Sequence, residues 1–337
     1  DELNSQLENW LSKVQDKTPN ILEPSTLVDI SDLQTCAIIS PHAGYAYCGK
    51  TAAFGFKSVN IDPIKRVFVL GPSHYVYFED ISLSVCDEIQ TPLGNLCVDR
   101  ETISDLNKTG KFSKLSISQE EEEHSLEMQF PYIYKIFESK IDEIKVVPAI
   151  VGHLDSCESV YGDIFSKYLG DPENLFVISS DFCHWGSRFQ YMFYSTSEKP
   201  SENPSFLKSI GYKKAKLQNQ KVNISPSCPI YKSIKNLDFE GMSSITSCDP
   251  EPFSVYLEKT QNTICGHSPI SVLLSSVHSH VLDKKNEKSE KDSEGNLEDP
   301  ESSEFEFNFI HYSQSSSVVD PTDSSVSYAS GILYRNQ

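Results

Sequence analysis

Three apolar runs in this chain each break into a histidine at the same point of their pattern: AIIS-Pro41-His42, VFVLGPS-His74 and LFVISSDFC-His184. The runs are continuous rather than alternating, as in strands buried on both faces of a parallel or mixed sheet. Such strands deliver side chains from their carboxyl ends into one shared crevice. A single histidine behind a strand is most simply a packed core residue. Three of them, joined by a cysteine at the start of a helix, argue for a metal site.

The rest of the pattern predicts an α/β fold with a mixed or parallel central sheet flanked by helices. TCAIIS, KRVFVLGPSH, KVVPAIVG and NLFVISSD read as strands, and they alternate with HAGYAYCGKTAAFGFKSV, ETISDLNKTG, ESVYGDIFSKYLG and PISVLLSSVHSHV, which lead into or carry helices. Residues 1–18 place Leu3, Leu7, Trp10, Leu11 and Val14 at helical spacing and predict an amphipathic helix. DISLSVCDEIQTPLG predicts a further strand and turn, and FNFIHYSQSS and SVSYASGILY predict two closing strands. With 337 residues and no long Pro/Gly tract, we expect one domain over 1–337. Two segments fit no element, 197–228 (Pro, Ser and Lys without period) and 283–304 (almost entirely charged or small), and both are expected to be surface insertions. Leu207, Ile210 and Tyr212 would let the first dock locally.

The formal charge of -19 repels phosphate backbones and argues against nucleic acid as a partner. No apolar stretch approaches the ~20 residues of a bilayer span, and residues 1–20 hold no apolar signal core. A cytoplasmic location is expected, with the nucleus as a second. Nine cysteines at irregular spacing, several inside apolar segments such as Cys36, Cys86 and Cys97, suit reduced thiols. The absence of a CxxC pair argues against a zinc ribbon. The chain begins at Asp1 without methionine, so an N-terminal piece is expected to precede it.

His42 lies in Ser40-Pro41-His42-Ala43-Gly44, where the proline sets the exit from the strand and the glycine permits a tight turn. His74 repeats the arrangement in Gly71-Pro72-Ser73-His74. Cys265 sits at the mouth of the helix that Pro269 begins, where unpaired N–H groups are expected to lower a thiol pKa. The three together form a His2Cys set that suits copper and zinc and can also hold iron. His184 comes later after its strand and is expected to donate or accept a proton beside the metal, with Asp181 orienting it or acting as an extra ligand. His124 and Glu127 share one helical face at i, i+3. They either support the ligands from behind or belong to a solvated acidic turn with Glu120 to Glu123, and both readings stay open.

PHAGYAYCG, LGPSH, EEHSLEMQFPY, NLFVISSDFCHWG, NTICGHSPI and SSVSYASG, in that order, resemble the Memo family, described as mediators of receptor-kinase-driven cell motility. The resemblance runs from about residue 35 to the end, outside the two insertions. It implies the fold of the class III extradiol ring-cleavage dioxygenases, a non-haem iron group. It also implies a metal pocket at His42, His74 and Cys265, with His184 in the place of the dioxygenases' base. Two departures bear on chemistry. Cys265 stands where the dioxygenases have a carboxylate, so ring cleavage is not expected. His267-Ser268 stands where the family has Arg-His, which changes the charge at the pocket mouth. The insertions make this a long member, of the kind expected from a fungus.

Two functions follow, with a third behind them. In the first, copper or iron at His42, His74 and Cys265 reacts with oxygen species, His184 moves the proton, and the protein serves cell-motility or growth signalling. In the second, implied by the resemblance, the old active-site crevice binds phosphotyrosine peptides of a signalling protein without catalysis, against the opposition of the acidic field. In the third, the site only buffers metal.

Overall fold

Parallel strands set side by side run through the middle of the molecule, and their carboxyl ends lie along one edge. The computed structural model describes residues 2–202, 204–207, 224–291 and 304–336. Strands β1 (Gln34–Ser40), β2 (Arg66–Pro72), β3 (Ile81–Leu83), β4 (Phe112–Ser113), β5 (Lys145–Val151), β6 (Asn174–Ser179), β7 (His184–Trp185), β8 (Phe305–Gln314) and β9 (Ser325–Arg335) form a nine-stranded sheet. Its order is β7, β9, β1, β6, β2, β5, β3, β4, with β8 also paired to β9. β1, β6, β2 and β5 are parallel to one another. β9 joins β1 and β3 joins β5 antiparallel, so the sheet is mixed.

The apolar runs explain why these strands sit in the centre. Val67 to Leu70 of β2 and Val177 and Ile178 of β6 are fully buried, which needs cover on both faces. Phe68 and Phe176, paired in register, stack at 4.6 Å and meet Phe165 of the helix Glu158–Leu169. Ile38, one residue along and so on the opposite face, lies against Gly55 of the helix Tyr45–Lys57. The helix His267–Lys291 packs beside Glu158–Leu169, and Glu2–Ser12 packs beside Tyr45–Lys57. The expected architecture of a mixed sheet flanked by helices is what the chain forms.

Several elements differ from the sequence expectation. The N-terminal helix stops at Ser12, because Lys17–Pro19 pairs with Leu27–Asp29 as a small antiparallel ribbon instead of continuing the turn. DISLSVCDEIQTPLG is not one strand and a turn: it divides into β3 and the hairpin Glu88–Thr91/Gly94–Cys97. The helices Ile230–Ile245 and Pro250–Thr260 went unassigned, although Asp249, which caps the second through the Glu251 N–H, stands in the sequence as an Asp-Pro start signal. The start of the segment 283–304 is helix rather than loop: His267–Lys291 runs through it to Lys291, anchored upstream by buried Leu273, Leu274 and Val277 and continued by good helix formers. Its remaining residues up to 303 lie outside the described residues. In 197–228, Phe206 and Leu207 pack on the core and the Leu207 N–H donates to Met192 O at 2.9 Å, while Cys228 is buried. Ile210 and Tyr212 lie outside the described residues. Among the described residues, no helix is long and apolar enough to cross a membrane.

The close approach of Glu158–Leu169 to His267–Lys291 depends on Gly162, where an added Cβ would come within 2.6 Å of Ser275 Cβ and 2.7 Å of its carbonyl carbon. Gly162→Ala is expected to destabilise the protein by about 1–3 kcal/mol through overpacking. A urea titration with an unchanged midpoint would show that the two helices do not meet this closely.

Candidate metal centre

β1, β6 and β2 are neighbours and end at one level, with Ser40 paired to Ser179. The residues just beyond them therefore meet. His42 and His74 lie with ring centroids 5.2 Å apart at 77°. His124, at the start of the short helix His124–Glu127, stacks on His74 at 4.6 Å and sets its edge to His42 at 5.5 Å. One ring nitrogen from each of the three lies within 4.8 Å of the others. Cys265 Sγ is 3.2 Å from His42 Nε2. His42 and His74 are thus together with His124, which stands in the cluster rather than behind it, while Cys265 touches the cluster at His42 and is not one of the three residues whose ligand atoms lie within 4.8 Å of one another.

Hydrogen bonds decide which nitrogen each imidazole offers. Ser179 Oγ has a single proton, given to Ser125 O at 2.6 Å, and it accepts from Gln129 Nε2 at 2.8 Å. Its 2.8 Å contact with His42 Nδ1 must then be a bond that the imidazole donates. His42 Nδ1 carries the proton, and Nε2 keeps its lone pair beside Cys265. His74 Nδ1 donates to Glu123 Oε1 at 2.8 Å, and its backbone N–H donates to the other oxygen of the same carboxylate. His184 Nδ1 faces only carbonyl oxygens, those of Phe182 at 2.9 Å and Thr263 at 3.0 Å, so it too is protonated there. All three rings are anchored through Nδ1, with His42 Nε2 in contact with Cys265 Sγ, the arrangement by which supporting groups orient metal-binding histidines.

Burial, with His74 and His124 alongside, holds the His42 pKa well below its ordinary value and keeps the ring neutral. His124 is shifted down for the same reasons. Burial pushes Glu123 up, but the His74 ring and the His74 and Ser125 N–H groups outweigh it and bring the carboxyl to about 2. Asp181 is 3% exposed and shifted upward by burial, and its Oδ1 accepts the backbone N–H groups of His42 and Ala43 at 2.9 and 3.4 Å. That carboxylate shapes the His42 turn, while backbone carbonyls hold the His184 ring. The expected depression of the Cys265 thiol is not found: burial, with Asp181 second, drives it well up in the metal-free chain. The N–H groups of Asp181 and Gly266 cannot offset removal from water with the Asp181 carboxyl nearby.

The loop carrying Cys265 reaches the strand ends because residue 266 is glycine, where a Cβ would overlap Ser180 and the Ser179 carbonyl. A cavity of about 420 Å³ opens there, lined by His74, Tyr75, Phe78, His153, Cys265 and His267 among others. His267 is half-buried, and burial and His153 lower its pKa. Glu127 is exposed. The acidic run turns partly inward, contrary to a fully solvated turn: Glu123 is 4% exposed, and Glu120 accepts the Ser84 hydroxyl and the Val85 N–H. Glu123, Gln129, Ser179 and Thr263 were missed by sequence reasoning. The one available signal was the Glu123-His124 pair, an acid that could cap the short helix it precedes.

A carboxyl at about 2 in the folded chain against an ordinary 4.5 stabilises the fold fully above pH 4.5, and that stability is lost as the pH falls toward 2. Glu123→Gln is expected to flatten stability across that acid window and to cost about 1.5–3 kcal/mol at neutral pH. Thermal denaturation from pH 2 to 7 checks this, and an acid limb identical to wild type would show that no charge is at stake.

Residues 1–332 match the family described as Memo-like protein. Protein MEMO1 of Homo sapiens and that of Danio rerio are each 41% identical to this chain over 333 residues, covering 98% of it and 92% of the relative. The memo-1 homolog of Caenorhabditis elegans is 42% identical over 299 residues, 88% of this chain and 72% of that protein. The match takes in every segment that positions the histidine cluster, and on this ground the chain belongs to the Memo family.

Proposed function

We propose that the protein is a redox-active metalloprotein that holds copper or iron on His42, His74 and Cys265, with His124 as a further nitrogen and His184 as the group that carries a proton. One observation bears most of this reading. The Nδ1 atoms of His42 and His74 are each committed to a hydrogen bond, both rings stand in one cluster with His124, and the Nε2 of His42 meets the Cys265 thiol. The fit is supported by His124 Nδ1, buried without a hydrogen-bond partner, a costly state that an ion would relieve. Copper or iron on this donor set would supply one-electron chemistry toward oxygen species, whereas zinc, which the same donors suit, would not.

The chain's own residues divide the remaining work. Glu123 orients His74, and Ser179 with Gln129 orients His42. Asp181 holds the turn that aims His42. His184, fixed by two carbonyls, leaves Nε2 free to accept a proton and return it. Family membership supports a role in cell-motility or growth signalling, and the reading carries with it a cytoplasmic or nuclear location. The peptide-binding reading ranks second. Exposed Tyr75 and Tyr77 rim the cavity, but its lining has no Lys or Arg among the described residues to meet a phosphate.

Full-length protein purified without chelators and loaded with Cu(II) or Fe(II) is expected to retain metal stoichiometrically and to consume oxygen in the presence of a reductant. His42→Ala, His74→Ala and Cys265→Ala should lose the metal. His184→Gln should keep it and slow turnover by about 100-fold or more. Unchanged retention in His74→Ala defeats the proposal, and retention without turnover in wild type reduces it to metal buffering.

A further inference from the structure

Asp238 sits in the middle of the helix Ile230–Ile245, is 0% exposed, and has no cation beside it among the described residues. Its partners are all neutral donors from separate parts of the chain. Oδ1 accepts the Cys183 N–H and the Asn262 amide, both at 3.2 Å, and Oδ2 accepts the Tyr312 hydroxyl at 2.8 Å. Tyr312 belongs to β8, and its hydroxyl contacts Ser327 of β9 at 3.2 Å. A buried carboxylate without a counter-charge is costly, and an apolar side chain in this helix would be cheaper. What the carboxylate adds is a defined attachment for two loops.

Those loops are the ones that carry His184 and Cys265. Cys183 precedes His184 and Asn262 precedes Thr263. The His184 N–H donates to Thr263 Oγ1 at 2.8 Å, and that hydroxyl donates to His184 O at 3.0 Å. Three residues before His184 and two after Thr263, the Asp181 N–H meets Cys265 Sγ at 3.3 Å. The loops are therefore zipped together from the Asp238 end to the thiol. The Tyr312 and Ser327 contacts tie the same carboxylate to the sheet, so the spacing of the loops is referred to a rigid frame.

We propose that Asp238 is a positioning residue: through Cys183 and Asn262 it holds the His184 and Cys265 loops in register and so places the thiol against the His42 imidazole. The inference rests on the reading of Cys265 as a ligand only for its purpose, since the positioning exists without metal.

The test uses the full chain in two arms. In the metal-free arm, iodoacetamide alkylation of each cysteine is followed by peptide mass spectrometry, with Cys36, buried in β1, as internal reference. Asp238→Asn keeps the shape but faces a donor toward donors, and it is expected to raise the Cys265 rate about tenfold while Cys36 stays within about twofold, as local opening rather than global unfolding predicts. Met242→Ala, a core truncation on the same helix, should raise neither selectively. If Asp238→Asn fails to fold, Asn262→Ala removes one arm of the bridge and should act in the same direction. In the copper arm, the sulfur-to-copper charge-transfer absorption should weaken and affinity fall about tenfold or more in Asp238→Asn. A Cys265 rate that does not change, or that rises only together with Cys36, overturns the positioning role. Wild-type protein that takes up copper without a sulfur signal overturns the ligand reading alone.

Discussion

The parallel hydrogen bonding of β1, β6 and β2 carries the rest of the structure, because it brings three strand ends to one level and sets their spacing at a single inter-strand step. A histidine two residues after β1, another two residues after β2, and the Asp181 to His184 turn after β6 are thereby neighbours in space while far apart in the chain. Helices on both faces keep water from the strands, which is what allows their runs to be continuously apolar. An antiparallel pairing in the same place would have sent one of the two histidines to the opposite edge.

Around that frame, one hydroxyl decides the state of the most buried ring. Ser179 gives its proton to Ser125 O, which obliges His42 to donate at Nδ1 and leaves Nε2 as an acceptor beside Cys265. Glu123 and a pair of carbonyls likewise accept from Nδ1 of His74 and His184. Three separate devices reach one outcome, each ring anchored through Nδ1, and burial keeps the His42 ring neutral. The thiol is the exception. It is held protonated by burial and by Asp181 in the metal-free chain, so that metal binding there would have to release a proton.

The Memo family match extends over the whole of this frame and the mouth beside it. The residues of the cluster lie on strand ends and on two short loops braced by Asp238, whereas the cavity beside them is lined by aromatic and histidine side chains. His267 and Ser268 at that mouth leave the lining without a permanent positive charge among the described residues.

Much of this was legible in the order of residues. Continuous apolar runs announce strands covered on both faces, and Pro41-His42 and Pro72-Ser73-His74 announce side chains released at strand ends. The helices Tyr45–Lys57 and Glu158–Leu169 show in their periodicity, while Ile230–Ile245 went unassigned. What no local pattern carries is the identity of neighbours across the sheet. That Glu123 turns inward from an acidic run, that His124 joins the cluster, and that a helical aspartate braces two distant loops all follow from packing between segments remote in sequence. The chain by itself determined the elements and the chemistry available at their ends, because periodicity and turn residues act over a few positions. Tertiary structure alone decided protonation, burial and partnership, because those depend on which surfaces meet and how much water they exclude.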